Sequence, residues 1–149
     1  MKMIWFDMDG TIANLYGVND WLPKLRAYDP SPYAEAEVLL NMSRLARLLN
    51  QVQQMGYTIG IISWLSKNSN EEYDRAVAEA KRSWLNRHLA SVKWDDIRIV
   101  QYGVPKEWFM RTEDDILFDD ELKNRENWKG QAYEPEMIFK VLNALKGVA

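Results

Sequence analysis

Residues 2–6, apolar from Met3 onward, end abruptly at Asp7-Met8-Asp9-Gly10. An unbroken apolar run closed by a polar turn predicts a short buried strand. Residues 15–32 keep no period but carry Trp21, Pro23, Tyr28, Pro30 and Pro32. That composition suits a long loop or small lid, over 15–34, packed by its own aromatics. Periodicity returns over 35–55. Val38, Met42, Leu45, Leu49 and Val52 step by four and three, the mark of an amphipathic helix, with Gly56 placed to end it. Residues 57–62 form a β-rich apolar run that closes at Ser63. Ser69 and Glu72 have capping-box spacing, so a second helix is expected from Ser69 with Tyr73, Val77, Ala80 and Trp84 inward. Short strands follow at 97–100 and 116–118, the latter ending at Asp119-Asp120, and 131–133 offers a fifth. Pro135 suits the first turn of a last helix that turns Ile138, Val141, Leu142 and Leu145 to the core. Strands alternating with helices of this length predict βαβ units, a mostly parallel sheet and one α/β domain over 1–149.

Composition narrows this picture. A chain of 149 residues has room for one sizeable core. Its net charge of -3 argues against a sequence-independent nucleic-acid binder, while a locally positive site for a single nucleotide stays open. There is no cysteine, hence no disulfide framework or thiolate chemistry, which fits a reducing compartment. With a single histidine besides, a zinc site of the usual ligands is disfavoured. No apolar run approaches the ~20 residues of a membrane span. The acidic turn at Asp7 comes too early for a signal peptide. A cytoplasmic protein is expected.

The acids carry the chemistry. In an open α/β sheet a ligand lies beyond the carboxyl ends of the strands, where Asp7 and Asp9, Ser63, and Asp119 and Asp120 all fall. Asp7 and Asp9 are two apart on extended chain and address one spot. Two such charges repel unless a cation lies between them or one holds a proton. Four carboxylates around one cleft, without histidine or cysteine, suit a hard, oxygen-loving ion, of which magnesium is the usual one. Magnesium so held fills its other positions with water and phosphate oxygens, so phosphoryl chemistry is the working hypothesis. Plainer readings stand beside it. Asp9-Gly10 is a hairpin-turn signal, Asp119-Asp120 is a helix-capping pair, and Ser63 is an ordinary turn residue. A calcium EF-hand loop would need a further acid or amide before the glycine. His88, beside the Trp84 stripe, reads as structural, and Asp95-Asp96 and Glu113-Asp114-Asp115 as solvated turns. Most of the seven tryptophans fall at core spacing. Trp21 and Tyr16, in the lid stretch, are placed to touch a ligand.

Phe6-Asp7-Met8-Asp9-Gly10-Thr11 resembles the first motif of the haloacid dehalogenase (HAD) superfamily, whose phosphatases read hydrophobic-D-x-D-G-T. Ile61-Ile62-Ser63 resembles its second motif and Ile116-Leu117-Phe118-Asp119-Asp120 its fourth. The resemblance implies a three-layer α/β/α Rossmann-like domain with a minimal cap. Asp7 would be the nucleophile that forms an aspartyl-phosphate, and Asp9 the acid and then the base. Magnesium would be held by Asp7, the Asp9 backbone carbonyl and Asp119, with Asp120 helping directly or through water. Ser63 with neighbouring groups at Trp64, and the turn at Gly10-Thr11, would hold the phosphoryl oxygens. A lysine would complete the site: Lys106, just before the fourth motif, or its rival Lys67. Gly10 would let the chain turn tightly beside the phosphate.

Both intervals where such proteins carry caps are short here, so an open site is expected. It would take small phosphate esters or a larger partner that covers it. "AKRSWLNRHL" and "ILFDDELKN" resemble stretches of the 5'-nucleotidase/deoxyribonucleotidase branch, which makes a nucleoside monophosphate the first choice of substrate. The alternatives are a polynucleotide 3'-phosphatase, the one setting in which nucleic acid is a partner, and a non-catalytic module that binds a phosphorylated partner. The Asp7/Asp9 pair argues against the module, since a binder needs no acid/base. Dehalogenation is disfavoured because it dispenses with the magnesium acids and with Asp9.

Overall fold

The computed structural model describes residues 2–147. The outermost positions of the expected 1–149 domain, Met1, Val148 and Ala149, lie outside the described residues. Five parallel strands form the central sheet: β1 Met3–Phe6, β4 Thr58–Trp64, β5 Asp96–Val100, β6 Ile116–Phe118 and β7 Gln131–Tyr133. Their spatial order is β5-β4-β1-β6-β7. The central strand β1 has no polar face because both its faces are covered. Ile4 and Phe6 enter the main core with Leu45, Leu49, Val52, Trp84, Ile138 and Leu142. Met3 and Trp5 turn the other way, to Ile62, Leu117 and Trp128. Period-two alternation thus feeds two cores.

The helices make the outer layers. On the main-core face lie α3 (Met42–Gln54), α4 (Glu71–His88) and α6 (Ile138–Gly147). The opposite layer is thin, built from a 3-10 turn at Lys106–Phe109 and from α5 (Leu122–Asn127). This is the expected three-layer α/β/α architecture. No described helix is long and apolar enough to cross a membrane.

Several boundaries differ from the sequence expectation. The helix expected from residue 35 begins only at Met42, where the Asn41 side chain accepts from the Arg44 N–H at 3.0 Å. Before it, β3 (Glu37–Val38) pairs antiparallel with β2 (Ala13–Asn14), so Val38 lies in an exposed ribbon and not on a helix stripe. The second helix is capped by Asn70, whose Oδ1 accepts from the Tyr73 N–H at 2.8 Å, and not by Ser69. An amide oxygen at Asn70 reaches the third residue on, the same geometry shifted by one. Gly56, at φ +105, follows α3 as expected.

The stretch expected as a loop is partly helical. Between β2 and β3 the chain forms a 3-10 turn at Leu15–Gly17, then α1 (Trp21–Arg26) and α2 (Ser31–Glu35). Leu15 and Tyr33 join Leu65, Tyr73 and Val77 in a third small apolar cluster, which ties the excursion to α4. Asp115, expected in a solvated turn, is fully buried. Its carboxylate accepts from Met3 N, Trp5 Nε1, Arg111 N and Thr112 Oγ1 at 2.8 to 3.2 Å. Asp95, though exposed, accepts from the Ile59 N–H at 2.8 Å, and Asp96 pairs with Arg98 and Arg111. These acids tie loops to strand starts, at the end of the sheet away from Asp7.

Candidate active site

Strand register brings the acids together. Phe6 pairs with Phe118 across parallel strands, so Asp7 and Asp119 emerge side by side one residue beyond the two ends. Backbone bonds hold each in line: Asp7 N–H donates to Phe118 O at 2.9 Å and Asp119 N–H to Tyr133 O at 3.1 Å. After Asp7 the chain turns at once, with Ile12 N–H on Met8 O and Gly10 N–H on Ala13 O. Gly10 stands at φ +82, where a Cβ would collide with the Asp120 carboxylate and come within 3.0 Å of the Tyr16 ring. The glycine is required by Asp120 as well as by the turn.

Asp7, Asp119 and Asp120 each offer a carboxylate oxygen within 4.8 Å of the others. All are hard oxygen donors, and no histidine or cysteine joins them among the described residues, which fits magnesium better than a transition metal. Their crowding shows in their protonation. Burial, then the Asp7 charge, push Asp119 up to about 6, although Lys106 pulls the other way. Burial, the Asp7 charge, a shared hydrogen bond with Asp7 and the Asp119 charge push Asp120 up to about 8. Carboxylates this unwilling to ionise together are what a divalent cation would relieve. Asp119 accepts from Lys106 at 2.7 Å, Glu121 N at 2.9 Å and Asn124 Nδ2 at 3.1 Å. A carboxylate has about four acceptor sites, which leaves one for a metal. The Asp9 carboxylate stands apart from this cluster, so only its backbone carbonyl, as the resemblance implied, is a candidate ligand.

Of the two candidate lysines the site takes Lys106. Its ammonium, 3% exposed, lies 2.8 Å from Asp7 Oδ1 and 2.7 Å from Asp119 Oδ2. Burial lowers its pKa, but the Asp7 and Asp119 charges outweigh that and hold it well above its ordinary value. Lys67 is exposed at the rim, 5.9 Å from the Tyr102 ring centre.

Of the residues expected to hold phosphate, Trp64 lines the cavity over the acids. Ser63 and Thr11 are buried at 0% and 1% exposure and are absent from its wall, as is Gly10. Thr11 Oγ1 instead donates to Asp7 Oδ2 at 3.0 Å and accepts from the Asp120 N–H at 3.2 Å, bracing the two acids. The Ser63 hydroxyl accepts from Lys81 at 2.6 Å, and the serine past the end of β4 that does face the cavity is Ser66.

Lys81 is the residue that sequence reasoning missed. Sitting on the inward stripe of α4 between Val77 and Trp84, it is 1% exposed and lies 2.9 Å from Asp9 Oδ2. The available signal was a lysine four after Val77 and three before Trp84, a position that points inward. Burial raises the Asp9 pKa more than Lys81 lowers it. Asn124 was missed too; its only signal was a polar side chain two residues into α5, facing Asp119.

The cavity above the acids measures about 470 Å³. The 15–34 excursion contributes Tyr16, Trp21, Leu25, Arg26, Tyr28 and Tyr33 to its wall, and Trp64 and Tyr102 come from the sheet end. Two aromatic pairs border it: Tyr16 against Trp21, centres 4.9 Å apart, and Trp64 against Tyr102, centres 5.0 Å apart. Trp21 and Tyr16 are therefore at the cavity, as expected. Trp84 instead packs against His88, ring centres 4.6 Å apart and planes tilted by 49°, and His88, its pKa lowered by burial and then Arg87, has a packing role.

The chain has a HAD-like α/β Rossmann fold, and among its described residues three carboxylates gather at the carboxyl ends of its strands. Among solved structures it is similar to D,D-heptose 1,7-bisphosphate phosphatase from B. bronchiseptica complexed with magnesium and phosphate. There the TM-score is 0.64 at 15% identity, covering 100% of both chains. It is also similar to D,D-heptose 1,7-bisphosphate phosphatase from Burkholderia thailandensis, with TM-score 0.52 and 19% identity over 85% of this chain and 70% of that one. At these identities the likeness is one of fold. No protein-family model matches the chain, and no curated protein matches it.

Proposed function

We propose that this protein is a magnesium-dependent phosphomonoester hydrolase working through an aspartyl-phosphate on Asp7. One observation carries the reading: Lys106 lies between Asp7 and Asp119, with Asp120 beside them, at the floor of a cavity large enough for a small ester. The solved relative that binds magnesium and phosphate has the same fold, which supports the same chemistry here.

Asp7, Asp119 and Asp120, with the Asp9 carbonyl, would hold the magnesium ion, which when bound offsets charge on the phosphoryl oxygens. The chain's own groups do the rest. A carboxylate oxygen of Asp7 attacks phosphorus as the bond to the ester oxygen breaks, and that oxygen takes a proton from Asp9. Water then attacks the acyl phosphate and gives its proton to Asp9, which releases inorganic phosphate and restores Asp7. Thr11 keeps Asp7 aimed, and Lys106 neutralises charge that Asp7 alone would leave exposed to the phosphate. Ser66 and Trp64, on the wall, border the transferring group.

The substrates proposed are small phosphate esters, nucleoside monophosphates first. The two aromatic pairs at the cavity offer faces for a base, and stacking of this kind is worth about 1–3 kcal/mol per base. Residues 15–34 serve as the lid that contributes one of those pairs. Phosphate release from p-nitrophenyl phosphate and from a panel of nucleotides, sugar phosphates and phosphorylated oligonucleotides is the test. Turnover that needs magnesium, stops with EDTA and is lost in Asp7→Asn is expected; full activity in Asp7→Asn would end the proposal.

A further inference from the structure

An ammonium is a donor of three hydrogen bonds and accepts none. All three of Lys81's are engaged: on Asp9 Oδ2 at 2.9 Å, on Ser63 Oγ at 2.6 Å and on the Trp64 carbonyl at 2.6 Å. The group is 1% exposed, so water does not compete for it, and the Tyr33 ring covers it with its centre 5.0 Å away. Lys81 therefore has no donor left for a substrate. Its three partners belong to two separate pieces of chain: the turn after β1, which carries Asp9, and the end of β4, which carries Ser63 and Trp64. Among the described residues, no other hydrogen-bond donor reaches the Asp9 carboxylate. Asp9 nevertheless lines the cavity.

We infer that Lys81 is a positioning residue: it holds one oxygen of Asp9 against the end of β4 so that the other faces the ester oxygen. The inference rests on the phosphatase reading and extends it to a residue of the α4 stripe. Among the described residues no second hydrogen bond locks the rotation of the Asp9 carboxylate, and proton transfer requires its donor within hydrogen-bond reach of the leaving oxygen. Tyr33 and the Trp64 carbonyl fix the ammonium in turn, which makes the anchor rigid. A lysine holding α4 to the sheet for stability alone would give the same burial but would not govern proton delivery.

A matched pair of esters separates the two. Phenyl phosphate has a poor leaving group that needs the proton, and p-nitrophenyl phosphate a good one that hardly does. Wild type, Lys81→Met and Lys81→Arg are compared at saturating magnesium. The readout is kcat/KM, which reports the first phosphoryl transfer and not the later hydrolysis that both esters share. Misplacing a catalytic group by about 1 Å costs ~100-fold, so kcat/KM for phenyl phosphate should fall about 100-fold in Lys81→Met. The kcat/KM for p-nitrophenyl phosphate should fall less than about tenfold, because general acid help contributes less there, while any loss in the later base step, common to both esters, leaves both kcat/KM values untouched. Lys81→Arg keeps the charge but replaces a point contact with a planar fork, and should also lower the phenyl-to-nitrophenyl ratio. If Lys81→Met does not fold, Lys81→Arg decides alone. A ratio equal to wild type in the folded variants would overturn the inference while leaving the phosphatase reading standing. Wild type that cleaves neither ester would overturn both.

Discussion

Withdrawing magnesium and raising the pH should weaken this fold, with a sign and size that follow from the acid cluster. Asp119 and Asp120 have native pKa values of about 6 and about 8 against 3.8 for an ordinary aspartate. Between those limits the native state holds protons that the unfolded chain has released. Stability therefore falls as pH rises, and the penalty is absent below about pH 4, where both states are protonated. A shift of roughly two units at well-buried Asp119 corresponds to about 3 kcal/mol. Asp120 is more exposed, and solvent screening reduces its share, so the pair together should account for about 3–5 kcal/mol. Asp9, also raised, acts in the same direction. His88 acts in the opposite one, since its lowered pKa makes the unfolded state the better proton binder. Its contribution is the same with and without metal and cancels in the difference. Urea unfolding in EDTA and in magnesium, at about pH 5 and about pH 8, measures that difference. The stabilisation by magnesium should be small at the lower pH and approach ~4 kcal/mol at the higher, the value for a ligand at about a thousand times its Kd. Stability in EDTA that rises or stays level across this range, or an equal magnesium effect at both pH values, would refute the reasoning.

Three other outcomes are expected. Lys106→Met should lose at least ~100-fold in turnover if the proposed role of offsetting charge at Asp7 and the phosphoryl group holds, and about 3–5 kcal/mol of stability by stranding two buried carboxylates. Lys67→Ala should stay near wild type, and the reverse order in a paired assay would move the site lysine to the rim. Asp115→Ala strands two backbone N–H groups and the Trp5 indole; chemical denaturation should register a loss of about 3 kcal/mol or more, with the magnesium dependence unchanged. Asn70→Ala should cost about 1 kcal/mol and Ser69→Ala less than ~0.5, a comparison that thermal melts can make directly.

The sheet was legible because its strands are short, continuous apolar runs, and burial on both faces leaves no other pattern. The acids were legible for a related reason: Asp7 and Asp119 each stop such a run with a charge, and parallel register then places them side by side. Helix starts were harder. Val38 keeps helical spacing with Met42 but pairs with Ala13 in a ribbon, and period alone does not tell the two apart. Asp115 resembles its exposed neighbours Glu113 and Asp114 in sequence, and what buries it is Met3 and Trp5, more than a hundred residues away, together with the nearby Arg111 and Thr112. Lys81 was hidden by its type, since a lysine on a helix usually lies in water and its partners belong to distant strand ends. Ser63 shows the limit of spacing: it closes the right strand, yet its hydroxyl faces the lysine behind the cavity wall.

The excursion over 15–34 leaves and rejoins the body through one two-residue antiparallel pair, Ala13–Asn14 with Glu37–Val38. Its entry and exit are thus stapled together at a single gate, and the distance between them does not depend on what lies beyond. Closing a longer loop across such a gate costs little, about 0.6 kcal/mol for each doubling. The segment can be exchanged for longer or differently shaped pieces while Asp7, Lys106 and Asp119 keep their places, provided Leu15 and Tyr33 keep their packing against α4 and Lys81, so this ribbon is the natural graft point for redirecting what the cavity admits.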